Sequence, residues 1–302
     1  MPKRLPRART LKGDPKLVYY DAGTTVGSEP ALVLSHSSLA RSEDWENIFP
    51  RLATRYRVVA YDARGHGKSA RASDYTLRSF ADDALRVLRE VVKAPAVLIG
   101  HSLGALSALV SAAEAPELVR GAVLEDPALG YARAWDPSRY GTLREAVASA
   151  DPVTIAKATA KQPLPSPGPR GERTYGELRG FYASERVLTY FRDVDPAFID
   201  ARVSGDDPTA AIIADAIARV RAPVLVLAGE PRLGGALDDA SEWRLKKLAD
   251  VTIKRCMCLI SQPERWNSVA SQSSNSGWLG YSPCEPKSSA VFTRLVPKYI
   301  CQ

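Results

Sequence analysis

Histidine is the scarcest carrier of acid–base chemistry in this chain of 302 residues: His36, His66 and His101 are all there are, and none follows position 101. Everything after that point must therefore manage without an imidazole, the side chain that titrates nearest neutral pH. Cysteine is missing from the first 255 residues, and its four copies, Cys256, Cys258, Cys284 and Cys301, crowd into the end. A C-x-C pair followed by two distant singles does not match the paired spacing of a zinc site, so free thiols are expected. No stretch approaches the roughly 20 apolar residues of a membrane helix, and no apolar segment forms a secretory signal. Acidic residues are absent from the beginning, where Lys3, Arg4, Arg7 and Arg9 precede Asp14, while Pro2 and Pro6 spoil any amphipathic helix. That start reads as a solvated basic tail on a cytoplasmic protein, a mitochondrial address being the alternative. The net charge of +7 shows no other cluster, so no nucleic-acid partner is expected, and no metal or cofactor pattern is visible. Oligomeric state is not legible.

What is present is ordinary globular material, 45% hydrophobic and 25% charged. Buried-strand patterns cover residues 31–35, 57–61, 97–100, 121–125 and 223–228, with a shorter one at 16–20 and another at 251–254. Helical patterns alternate with them. Residues 44–52 carry Trp45, Ile48, Phe49 and Leu52 at helical spacing. Residues 76–92 form the clearest amphipathic helix, with Thr76 as its cap. A helix follows at 103–114 and another at 239–248. This alternation predicts an α/β fold with a mostly parallel, doubly wound sheet. Between about 130 and 221 the strand signal stops and helical patterns follow one another at 138–150, 151–162, 176–191 and 209–219. Asp151 caps the second of these, with Pro152 at its first position. The proline-rich connector at 163–169 can be neither helix nor inner strand. This block reads as a helical lid inserted at 130–221 into a core made of 1–129 and 222–302. From about residue 256 the composition turns Ser-rich and aperiodic, as if a foreign C-terminal segment had been joined on.

The chemistry concentrates at Gly100-His101-Ser102-Leu103-Gly104, where an apolar strand stops and a small-residue helix begins. A serine between two glycines in that setting fits the nucleophile elbow: the serine takes a strained conformation, and only hydrogen-sized neighbours let strand and helix pass. Two further loops follow strand patterns, His36-Ser37-Ser38 and the run Asp62-Ala63-Arg64-Gly65-His66-Gly67-Lys68-Ser69.

Together these residues resemble the α/β-hydrolase superfamily, in its lid-bearing esterase and carbon–carbon hydrolase style, over about residues 16–255. The resemblance implies Ser102 as nucleophile and the backbone N–H groups of Leu103 and Ser38 as the oxyanion hole. Ser37 stands where the family has glycine; His36 takes either a structural place or a direct role near the site, and His66 and His101 take structural places. The acid is expected after the strand at 223–228, so Glu230 is the first candidate, with Asp238 and Asp239 behind it and Glu125 and Asp126 in reserve. The family's base is a histidine shortly after the strand at 251–254, and this chain has none there; Lys254 and Glu264 are nearby substitutes without positional support. The resemblance thus implies a serine hydrolase of a small carbonyl substrate, ester-like or cleaved at a carbon–carbon bond, impaired for want of its histidine. A serine at the elbow speaks against the haloalkane dehalogenases and epoxide hydrolases, which use a carboxylate. The alternative is a non-catalytic protein that holds a small ligand on the same scaffold.

Overall fold

A computed structural model of the chain describes residues 5–25, 27–129, 137–161, 174, 191–203, 208–229 and 235–256. Among them the strands are β1 (Arg9–Leu11), β2 (Leu17–Ala22), β3 (Ala31–Ser35), β4 (Val58–Asp62), β5 (Ala96–His101), β6 (Val119–Glu125), β7 (Val224–Gly229) and β8 (Val251–Cys256). They form one sheet in the order β1-β2-β4-β3-β5-β6-β7-β8. β1 and β2 run antiparallel to their neighbours, while every pairing from β4 to β8 is parallel.

The helices are α1 (Phe49–Leu52), α2 (Leu77–Arg86), α3 (Leu103–Glu114), α4 (Pro137–Ser149), α5 (Pro152–Lys161), α6 (Pro196–Val203), α7 (Thr209–Arg219) and α8 (Asp239–Leu245). Strand alternation splits the core into two layers. In β3, Ala31 and Val33 face the larger layer beside α2, α3 and α7, whereas Leu32 and Leu34 face the smaller one built on Trp45, Phe49, Leu52 and Tyr56. β3 and β5 are buried along their whole length, as expected of parallel strands covered on both faces. α3 is also buried nearly all round. Its Ser107 and Ser111 hydroxyls donate to the carbonyls of Phe80 and Ala81 in α2, which allows two helices to lie close with their polar groups satisfied.

Several sequence expectations need correction. The single helix expected at 44–52 is two short pieces, a 3-10 turn at Ser42–Trp45 and then α1, which restarts with Pro50 in its first turn. The basic start is not all tail: Arg9–Leu11 pairs with β2 as an antiparallel edge strand. α2 appears where Thr76 was expected to cap it, and the Thr76 side chain accepts from the Ser79 N–H. The helix then widens into a π-helical stretch at Val87–Val92 and ends at Lys93 with φ +59°. α6 had no counterpart in the sequence reading. The helix expected at 176–191 and the connector at 163–169 lie outside the described residues, as does everything beyond 256. No helix among the described residues is long and apolar enough to cross a membrane.

Candidate active site

The chain leaves β3 to build β4 on one side and then crosses over to build β5 on the other. Such a reversal opens a crevice at the carboxyl ends of the two strands, the usual place for ligands in open α/β sheets. Backbone strain gathers there. Three non-glycine residues with positive φ stand at neighbouring strand exits: Leu39 (+58°) after β3, Ser102 (+50°) after β5 and Asp126 (+45°) after β6. Ser102 has ψ −108°, which lies in no ordinary region for an L-residue. Each such conformation costs on the order of 1–3 kcal/mol and persists only where the surroundings impose it.

For Ser102 those surroundings are explicit. A Cβ on Gly100 would stand 2.2 Å from the backbone of Gly104, and one on Gly104 would stand 2.3 Å from the Ser35 carbonyl oxygen and 2.7 Å from that of His36. Strand, turn and helix therefore fit only with hydrogens at both positions. The Ser102 N–H is held by the Glu125 carbonyl at 2.9 Å, and the first helical bond of α3 runs from Leu106 N–H to Ser102 C=O at 3.1 Å. The Leu103 N–H is thus not consumed by the helix and lies at its positive end. The Gly104 contacts also press the exit of β3 against this first turn, which brings the Ser35 and His36 carbonyls up to Gly104.

At this exit His36 is buried and fully committed. Its Nδ1 donates to the Ser37 carbonyl at 2.7 Å and its Nε2 accepts the Ala63 N–H at 2.9 Å. Those partners fix the tautomer, and burial, opposed by Asp62, holds the imidazole below its ordinary pKa. Ser37 needs no positive φ, so a side chain is tolerated there; the left-handed turn falls two residues later, at Leu39. No glycine marks that position, and the sequence carried no signal for it. His66 is also buried. Its Nδ1 donates to the Arg64 carbonyl at 2.8 Å, its ring packs on Phe198 at 4.7 Å and His36 at 5.3 Å, and burial first, then His36, pushes it down to about 3. His101 is buried at the end of β5, where strand alternation turns it away from its successor.

The loop after β4 is structural scaffolding. Asp62 accepts the N–H groups of Ser42 and Lys68, both at 2.9 Å. Arg64 makes two bonds to Asp83 of α2, at 2.7 and 2.9 Å. Gly65 C=O accepts the Asp195 N–H, and Tyr75 Oη donates to Asp195 at 2.6 Å, so the entry to α6 is docked on the same loop.

The carboxylate candidates divide. Asp238 caps α8, accepting the Ser241 N–H at 2.7 Å. Asp239 is fully exposed near Arg255. Glu125 is buried at the end of β6. Asp126 is buried as well, and its Oδ1 accepts the N–H groups of Gly229 at 3.1 Å and Ala236 at 2.9 Å. Lys254 lies in β8 opposite Leu227. Glu230, Glu264 and the tail lie outside the described residues. No group of three or more metal-ligating side chains forms among the described residues.

The model of the alpha/beta hydrolase family matches residues 32–268, which spans the elbow, the crevice and the whole parallel sheet. The chain belongs to the alpha/beta hydrolase family. In sequence, the chain is 37% identical over 101 residues to the 2-(acetamidomethylene)succinate hydrolase of Mesorhizobium japonicum, covering 33% of this chain and 36% of that protein. The chain thus spans little more than a third of that curated relative's length. In fold it is similar to the enol-lactonase from Burkholderia xenovorans LB400 (TM-score 0.64, 21% identity, covering 85% of this chain and 95% of that one). It is similar too to a structure of E-2-(acetamidomethylene)succinate hydrolase (TM-score 0.61, 19% identity, covering 88% and 97%).

Proposed function

We propose that this chain is a serine hydrolase acting on a small carbonyl substrate, ester-like or cleaved at a carbon–carbon bond, with Ser102 as nucleophile. One observation carries the reading: Ser102 holds a sterically imposed, strained turn at the start of α3, at the reversal point of the sheet. Oγ adds to the substrate carbonyl carbon, and the oxygen that becomes negative is received by the N–H groups of Leu103 and Ser38. Both are backbone donors, and the positive end of α3 favours the developing charge. Glu230, next in the chain to Gly229, is the acid by position, and the helical block at 130–221 is the lid that shapes the pocket over a core of 1–129 and 222–302. The hydrolytic relatives, one named for an enol-lactone and one for an acylated enamine, support a carbonyl substrate.

The proton of Ser102 has no evident destination. His36 is held on backbone groups at both nitrogens, His66 is buried with its Nδ1 on the Arg64 carbonyl and its Nε2 unpartnered, and no histidine follows position 101. Removing the base from such a pair costs on the order of a millionfold and leaves roughly a thousandfold from the oxyanion hole and binding. The losses do not add, so Ser102→Ala should cost little further turnover in the chain alone. Supplying imidazole separates the cases. Hydrolysis of a nitrophenyl ester should rise with imidazole in the wild type beyond the rise in Ser102→Ala; equal responses would remove Ser102 from the chemistry. The missing histidine favours the second reading, a scaffold that binds a small ligand without turning it over, and an equal response in a folded protein is what that reading expects.

A further inference from the structure

Residues 191–203 belong to the block proposed as the lid, and two aspartates there grip two different loops. Asp195 is bonded to the loop after β4: its N–H donates to the Gly65 carbonyl, and its carboxylate accepts from the Tyr75 hydroxyl. Three residues on, Phe198 is wholly buried and packs edge-on against His66 at 4.7 Å, Tyr75 at 5.8 Å and Phe80 at 5.9 Å. Arg202 donates to the Tyr75 carbonyl. Together these contacts make α6 and its entry a fixed post. Asp193, on the far side of the buried Val194, reaches the loop after β3 instead. Its Oδ2 accepts from Arg41 Nη1 at 2.5 Å, across 152 residues of sequence. The same guanidinium meets Glu43 of its own loop at 3.2 Å, and the side chains of Arg41, Glu43 and Asp193 are only 20%, 26% and 28% exposed. An ion pair so far withdrawn from water counts for more than a solvated one.

Arg41 stands two residues beyond the left-handed Leu39 and three beyond Ser38. The backbone after it is pinned, since the Asp44 N–H donates to the Arg41 carbonyl at 3.0 Å and the Ser42 N–H to Asp62 at 2.9 Å. Its side chain is where this turn meets the post. We propose that Asp193 is a positioning residue: through Arg41 it holds the 38–41 turn and so aims the Ser38 N–H, which makes the seating of the block a condition for a formed oxyanion site. The aiming rests on the reading of Ser102 as nucleophile with Ser38 as a donor to the oxyanion; the hold on the turn does not. A guanidinium on a carboxylate suits this task because its planar nitrogens fix direction as well as distance.

Amide exchange followed by NMR in the full chain reads the hold without any chemistry. In Asp193→Ala the N–H groups of Ser42 and Asp44 should exchange about 10-fold faster with Ile99 of β5 unchanged, and Asp193→Glu should restore them to within a few fold of wild type. Arg41→Met cuts the same pair from the other end and serves if Asp193→Ala does not fold. Hydrolysis of a nitrophenyl ester with imidazole supplied then reads the aim. Losing a whole oxyanion donor costs about 100- to 1000-fold in kcat, so a donor left loosely aimed in Asp193→Ala should cost about 10-fold, with KM within about twofold. Adding Asp193→Ala to Arg41→Met should lower kcat no further, as for two residues that act as one pair. Unchanged exchange in both single variants overturns the hold. Quickened exchange with kcat unchanged, or with KM raised in its place, makes the pair a support of the pocket wall alone and overturns the positioning role. Wild-type hydrolysis no faster than that of Ser102→Ala removes the nucleophile reading and the aim with it, while the exchange data still decide whether Asp193 holds the turn.

Discussion

The two halves of the sheet put their exits together by different means. On the side of β3, β4 and β5, nearby residues leave a local pattern in each loop, Ser102 with Gly100 and Gly104 and Asp62 with Lys68, even though distant residues such as Asp195 also dock there. On the side of β6, β7 and β8 the ordering contacts are long-range, and the principal one is a single carboxylate reaching 110 residues away. The first arrangement leaves a motif in the sequence. The second leaves none, because an aspartate that accepts two distant backbone N–H groups looks like any other aspartate.

The largest effect that could break this contrast belongs to the short-range half. Gly104→Ala places a methyl against two backbone oxygens that cannot rotate away, so it should cost about 4 kcal/mol or more by denaturant unfolding. A loss under about 1 kcal/mol would mean the strand and helix are not wedged as described. Next is the buried Arg64 and Asp83 pair, which ties the loop after β4 to α2 with side chains 10% and 0% exposed. Asp83→Asn strands a buried guanidinium and should cost about 3–5 kcal/mol.

The smallest effect is a slope. His66 is held neutral, with a folded pKa of about 3 against an ordinary 6.5. The unfolded chain therefore binds the extra proton first, and stability contributed by the neutral ring is lost as pH falls from about 6.5 toward about 3. Asp126 and Asp83, whose pKa values are raised mainly by burial, pull with the opposite sign above the ordinary carboxylate range. The difference between wild type and His66→Asn isolates the imidazole. Wild type should lose stability faster on acidification, by up to about 1.4 kcal/mol per pH unit. Parallel curves would show that the ring is not buried in its neutral form.

Most of the fold could be read in advance, because parallel strands covered on both faces are continuous aliphatic runs and the helices between them keep their period. β1 escaped notice because a three-residue edge strand bearing Arg9 has no apolar run to show. α6 escaped although Asp195-Pro196 opens it, with Ala197 N–H bonded to Asp195 at 3.1 Å; the Asp-Pro signature that located α5 was there to be used. In the site, the Ser102 turn was legible because its cause is two neighbouring glycines. The strain at Leu39 was not, since a leucine at that position carries no turn signal. Asp126 was read as a reserve acid from its place at the end of β6, and only the N–H groups of Gly229 and Ala236 reveal what its oxygens face.

The central claim is that Ser102 is the reactive atom's owner, and it can be met head-on. The folded protein, treated with a fluorophosphonate in the presence of imidazole and digested, should carry the adduct on the peptide containing Ser102, and Ser102→Ala should carry none. An adduct on another serine, or none on folded wild type, would contradict the account.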